Sequence, residues 1–338
     1  NKEGITMSLN NEQIQKLITL AESGNIEAQV DLAWEYFSYF DFDINIEAFK
    51  WFHMAANSGN TEAQKMLGYM YHNGLGVTRD DVKSFKWYLS SAKLNDKESL
   101  FIVGWHFYKG YIVKQNFDKA FEYLFLSVKQ NFEPAKLYLG YCYFYGNGTK
   151  INYAKAFKMI SEYYHFRKGT CDFDEFTDYC YYELGYMYNY GLGVQQNLDK
   201  AWDFLCEASD GTPNDMKAEY EIAKIYEEDN DIENAIEHYT KSADKGVSLA
   251  QCRLGQLYLQ GIGIEPDYHK AFEWFSKAAE QKNSDALYEL GQLYLTGKGV
   301  EKNINTALEL FLKSLEKGNE KAKNAVKILF GVLPNNNA

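Results

Sequence analysis

A glycine recurs inside what is otherwise a helical apolar pattern. In the stretch from Ala63 to Ala92, AQKMLGYMYHNGLGVTRDDVKSFKWYLSSA, the apolar spacing is that of two helices, yet Gly68 stands in the middle of the first. Glycine there costs a helix about 1 kcal/mol relative to alanine, so its return elsewhere needs a compensating gain. It returns at Gly104, Gly140, Gly185, Gly255 and Gly291, with Ala33 and Ala223 as the small substitutes, at spacings of 35, 36, 36, 45, 38, 32 and 36 residues. An aromatic follows three residues later each time, at Tyr36, Tyr71, Phe107, Tyr143, Tyr188, Tyr226, Tyr258 and Tyr294. Eight units of two helices are therefore expected, each burying its apolar face against its neighbours.

The second helix of each unit carries a small residue followed by an apolar one, from Ala48-Phe49 and Ser84-Phe85 through to Ala307-Leu308. Four positions earlier stand Asp80, Asn116, Asn152, Asn197, Asp231, Asp267 and Asn303, with Ile44 breaking the series. Asp and Asn accept a free backbone N–H at a helix start, which sets where each second helix begins. The glycine column is then the closest approach between paired helices, where packing offsets the lost propensity. Gly74 reads as a left-handed C-cap, and Gly76 lets the loop turn back. The same loop recurs as GLGV at Gly191, GIGI at Gly261 and GKGV at Gly297.

These motifs, LGYMYHNGLGV…KSFKWYLSSA and LGQLYLQGIGI…KAFEWFSKAA, resemble the Sel-one-like repeat, a relative of the tetratricopeptide repeat. The resemblance covers residues 23–319. It implies an all-α, right-handed solenoid of helix pairs acting as a non-catalytic adaptor or scaffold, including bacterial members that engage host or competitor proteins. Two units depart: the one around Ala223 has EEDNDIENA in place of the glycine loop, and the first has FDFDINIEA. A single solenoid domain is expected, with a capping helix at 10–22, an insertion near 165–180, a closing helix at 320–331 and a frayed tail at 332–338.

Chemistry is sparse. None of the double-glycine loops continues as a dinucleotide or P-loop fingerprint. The six histidines lie in different units without metal-ligand spacing. Asp41 to Asn45 copies the start of a calcium loop, but Ile46 stands where glycine is required and Phe52 where the closing Glu belongs. Glu227, Glu228, Asp229 and Asp231 read as a solvated loop with a cap. No cofactor, metal or catalytic constellation is expected. A net charge of −12 argues against nucleic acid or an anionic membrane as partner. No apolar run is long enough for a membrane span. Five cysteines without a CxxC pair suggest reduced thiols and a cytoplasmic protein. The chain starts with Asn, as a processed or trimmed product would, and Met7 is a candidate natural start; a removed export signal or delivery into another cell is compatible with this.

If the first helix of each unit lines the inner surface, as the resemblance implies, the positions three before, one after and four after the glycine column share one face. Trp34, Phe37, Tyr69, His72, Phe101, Trp105, Tyr108, Tyr141, Phe144, Tyr182 and Tyr186 fall there, with Tyr145 and Tyr190 at the rim. Two readings stay open. Either these rings pack against each other as core, or they line a groove for a protein segment, where Tyr and Trp bury large area with a polar handle. An acidic rim would favour a basic segment. The function expected is an interaction scaffold; the alternative is an immunity-type inhibitor that occludes a cognate bacterial toxin or effector.

Overall fold

The computed structural model describes residues 9–37, 42–168, 180–210 and 214–329. They divide into two compact units, residues 1–177 and 178–338. The first holds α1 (Asn11–Glu22), α2 (Ile26–Tyr36), α3 (Phe42–Asn57), α4 (Thr61–Asn73), α5 (Asp81–Lys93), α6 (Lys97–Lys109), α7 (Phe117–Lys129), α8 (Glu133–Tyr145) and α9 (Tyr153–Lys168). The second holds α10 (Tyr181–Tyr190), α11 (Leu198–Ser209), α12 (Asp215–Glu228), α13 (Ile232–Asp244), α14 (Ser248–Gln260), α15 (Tyr268–Glu280), α16 (Ser284–Thr296), α17 (Ile304–Glu316) and α18 (Glu320–Leu329). Among the described residues there is no strand. Pairs α2/α3 to α16/α17 are the eight expected repeats, with α1 and α18 at the two ends. The closing helix stops at Leu329 and the tail lies outside the described residues. So does the insertion from 169 to 179; its first residues, His165 to Lys168, belong to α9.

Seven of the eight second helices start where the capping series puts them; α3, where Ile44 breaks the series, begins at Phe42. The side chains of Asp80, Asn116, Asn152, Asn197, Asp231, Asp267 and Asn303 all accept the backbone N–H three residues on, at 2.9 to 3.3 Å. Asn116→Ala is expected to cost about 1 kcal/mol, read as a lower urea midpoint at unchanged slope.

The glycine column faces the second helix of its own repeat. A Cβ on Gly68 would lie 2.9 Å from the Tyr88 ring, and one on Gly104, Gly140, Gly185, Gly255 or Gly291 would lie 2.6 to 2.9 Å from Leu124, Ile160, Leu205, Phe275 or Phe311. Each partner follows its glycine by twenty residues. The sixth repeat keeps the contact with a shorter loop: Asn230, at φ 61°, makes the left-handed turn, and Ala223 shares its core cluster with Tyr239.

Two devices repeat beyond these. Lys83, Lys119, Lys155, Lys200 and Lys270, each the third residue of its second helix, place their ammonium groups 5.1 to 5.5 Å from the ring centres of Tyr71, Phe107, Tyr143, Tyr188 and Tyr258. The aromatic column is thus covered from within the repeat by a cation–π contact. The second glycine of the loop, meanwhile, touches the preceding repeat. A Cβ on Gly76, Gly148 or Gly299 would fall 2.2, 2.1 or 2.3 Å from the carbonyl oxygen of Asn45, Phe117 or Tyr268, close to the start of the previous second helix. This glycine closes one repeat onto the one before it; it does more than turn the chain.

Candidate functional site

The twelve candidate groove residues divide between the two units. In residues 1–177, Phe37, Phe101, Tyr141 and Phe144 are buried; the next repeat supplies rings against Phe37 and Phe101, while Tyr141 and Phe144 pack on Tyr138, Tyr145 and Tyr153 of their own repeat. Phe101, for instance, packs 5.5 Å from Phe132 and 6.0 Å from Tyr138. These four therefore offer little accessible area on that face. Trp34, 37% exposed, together with Tyr69, His72, Trp105 and Tyr108, keeps an accessible edge.

Their polar tips are organised. The Trp34 indole N–H donates to Glu62 Oε1 at 3.0 Å, and that of Trp105 to the Tyr138 hydroxyl at 2.9 Å. The Tyr111 ring stands at 66° to Trp105, with centres 5.5 Å apart, and is 67% exposed. Asp81 joins His72 Nδ1 at 3.0 Å and Arg79 Nη2 at 3.1 Å. Burial raises the Asp81 pKa, but the hydrogen bonds and charges of Arg79 and His72 outweigh it, so this carboxyl stays below its ordinary range. His106 lies behind them, between the rings of Phe85 and Trp105. Its Nδ1 is buried with no hydrogen-bond partner, and burial, reinforced by His72, drops its pKa to about 4.

In residues 178–338, Tyr182, Tyr186 and Tyr190 form a ladder along α10, with ring centres 5.9 and 4.6 Å apart. The Tyr190 hydroxyl donates to Glu221 Oε2 at 2.6 Å. Lys224 bonds the same hydroxyl and lies 4.8 Å from the Tyr190 ring centre. Burial and the Glu221 carboxylate both push the Tyr190 phenol above its ordinary pKa, so it remains a donor. Next along this face, Glu227 accepts from Arg253 Nε at 3.1 Å and from the Tyr239 hydroxyl at 2.7 Å. Glu227 is therefore a half-buried paired group inside α12, not part of a solvated loop; Asp231 is the cap, as expected. Sequence spacing does not show it, because the Arg253 partner lies in the next repeat, 26 residues downstream.

Charge is divided just as sharply. Residues 61–161 hold fourteen Lys and Arg against eight Asp and Glu, a net of +6, while residues 178–247 hold five against sixteen, a net of −11. The acidic surroundings expected along the whole groove are thus concentrated in the fifth and sixth repeats.

No group of three or more metal-ligating side chains exists among the described residues, and no described helix is long and apolar enough to cross a membrane. The calcium-like stretch lies partly outside the described residues, and Phe52, at its closing position, is fully buried core. Cys142, Cys180 and Cys252 are buried, with thiols pushed up to about 12 by desolvation, which leaves them poor nucleophiles at neutral pH.

A Sel1 repeat family model matches residues 26–60, 61–96, 97–132, 134–161, 178–212, 217–247, 248–283 and 284–319. Among solved structures, the chain is similar to the protective antigen of uropathogenic Escherichia coli strains that displays an SLR fold. Identity there is 29%, over 96% of this chain and 68% of that one, with a TM-score of 0.57. It is also similar to a Sel1 repeat protein from Oxalobacter formigenes, at 22% identity over 97% of this chain and 96% of that one, with a TM-score of 0.59. No curated protein matches the chain.

Proposed function

We propose that this chain, which belongs to the Sel1 repeat family, is a non-catalytic adaptor that captures a segment of another protein along the face of its first helices. Sel1 repeat proteins are generally protein–protein interaction scaffolds. The observation that carries the reading is the set of partly exposed aromatics on the first helices of each unit, Trp34, Tyr69, Trp105 and Tyr108 in residues 1–177, and Tyr182, Tyr186 and Tyr190 in residues 178–338. Several have their polar atoms fixed by hydrogen bonds, so they offer flat apolar area at low entropic cost.

A basic partner segment fits the fifth and sixth repeats. There the Tyr182–Tyr190 ladder lies in the stretch of net charge −11, and the chain's own Lys224 already sits over Tyr190 in cation–π geometry. A lysine or arginine of the partner would meet the neighbouring Tyr186 ring in the same way, and the acidic field would speed its arrival. The test is affinity capture from the native host with mass spectrometry, followed by titration calorimetry against the captured protein. Tyr186→Ala is expected to weaken binding at least about tenfold, with Gln292→Ala unchanged. Equal affinity of Tyr186→Ala and wild type, at equal melting temperature, would remove this face from the contact. A captured toxin whose activity the chain blocks would make the role inhibition.

A further inference from the structure

Five of the loops that follow a first helix carry a second glycine, at Gly76, Gly148, Gly193, Gly263 and Gly299, each at positive φ. Gly148 and Gly299 seat on the carbonyl of the first residue of the preceding second helix, and Gly263 on the Ile232 side chain at the equivalent place. The third repeat differs. Its loop reads GYIV from Gly110, with Ile112 where the glycine belongs, and the first residue of the helix it should close upon is Asp81. Asp81 and Ile112 instead line one cavity of about 760 Å³, whose walls also include Arg79, Trp105, His106 and Tyr111.

We propose that Ile112 holds this loop off the start of α5, and that the space so opened seats a tyrosine of a partner protein carried beside an Asp or Glu. The inference rests on the scaffold reading above and names the chemistry of one anchor. Trp105 and Tyr111 offer two ring faces at a steep angle, which suits an aromatic guest in edge-to-face contact. The cavity has the volume of an ordinary ligand pocket. His106 supplies the polar end: its buried Nδ1 has no hydrogen-bond partner, and a phenol that donates to it would supply the missing bond.

The carboxylate follows from the charges. Asp81 is held by Arg79 and His72, and Glu98, also in the wall, is paired with Lys65 at 3.1 Å. Arg79 uses Nε and Nη2 on Asp81, which leaves Nη1 for a further acceptor, and its side chain is 62% exposed. The surrounding stretch carries net charge +6. An acidic neighbour on the guest is therefore attracted here, while a basic one is drawn to the fifth and sixth repeats.

The probes are three capped dipeptides, acetyl-Asp-Tyr-amide, acetyl-Asn-Tyr-amide and acetyl-Asp-Leu-amide, titrated into the full chain while the Trp105 indole N–H resonance is followed. Acetyl-Asp-Tyr-amide is expected to saturate that shift with Kd on the order of 1 mM. The leucine probe should bind at least about tenfold more weakly, and the asparagine probe about threefold more weakly. Arg79→Gln should erase the difference between Asp and Asn probes. Ile112→Gly, which restores the loop found in the other repeats, should abolish the shift with melting unchanged. No saturable shift at Trp105, or full binding by a folded Ile112→Gly variant, overturns the proposal. Tyr186→Ala in the calorimetric test above is independent of this pocket, so the two readings fail separately.

Discussion

Gly148→Ala should be among the most damaging small substitutions in the chain, lowering stability by about 2–5 kcal/mol. The backbone there is left-handed, at φ 68°, which alone costs an L-residue about 1–2 kcal/mol. The added methyl would also stand 2.1 Å from the Phe117 carbonyl oxygen and 2.5 Å from its carbon. Neither atom belongs to a side chain that can swing away; relief requires the loop after α8 to lift off the start of α7. Gly24→Ala separates the two contributions, since Gly24 also has positive φ, 91°, but nothing within 4 Å of a new Cβ. It should cost only about 1 kcal/mol. Urea unfolding followed by circular dichroism checks the pair. Equal midpoints for the two variants would mean that the loop yields freely and that the second glycine is there for the turn alone.

The contrast between Gly148 and Gly68 marks what a sequence of this kind makes legible. The Gly68 column, the caps from Asp80 to Asn303 and the aromatic column are contacts within one repeat. Their spacing is fixed by helix geometry, and eight copies make the pattern readable. Contacts between repeats leave a weaker trace, because the partners lie at varied separations, 33 residues for Trp105 and Tyr138 but 26 for Glu227 and Arg253, and either side can change. Phe37, Phe101, Tyr141 and Phe144 occupy the face that looked available for binding, yet they are buried. Helical spacing says which side of its own helix a ring projects from; it does not say which rings will close over it, such as Tyr69 on Phe37, Phe132 on Phe101 or Tyr153 on Phe144. Tyr138, two residues before its glycine, is 1% exposed and accepts the Trp105 indole N–H, a role that no periodicity distinguishes.

Charge was hidden by summation. A total of −12 suggests one acidic surface, whereas the chain carries a basic stretch in repeats two to four and a strongly acidic one in repeats five and six. The lysines over the aromatic column were legible in principle, as Lys three residues after each Asp or Asn cap in five repeats. That spacing becomes a contact only when the loop returns the second helix alongside the first. The GYIV of the third unit lacks the second glycine, but its consequence depends on what that glycine touches elsewhere, and that is a contact with the repeat before.

Acidification should weaken the unit of residues 1–177 through His106. Burial first, and then the neighbouring His72, depress its pKa from 6.5 to about 4, with Asp81 opposing. The unfolded chain therefore binds a proton near pH 6.5 that the folded chain does not accept until about pH 4. Stability is complete above the unfolded value and is lost as pH falls through the window between the two. Between about pH 7.5 and pH 4.5 the loss from this group is roughly 2.5 kcal/mol. Asp81, held low by Arg79 and His72, stays ionised through most of that window and adds little. His106→Phe keeps a ring between Phe85 and Trp105 but has no proton to gain. Urea midpoints across this range should fall more steeply for wild type than for His106→Phe, and the variant should match or exceed wild type at the acidic end. Parallel pH profiles for the two proteins would show that protonated His106 is accommodated in the fold, and that the imidazole lies in a wetter wall than its 8% exposure implies.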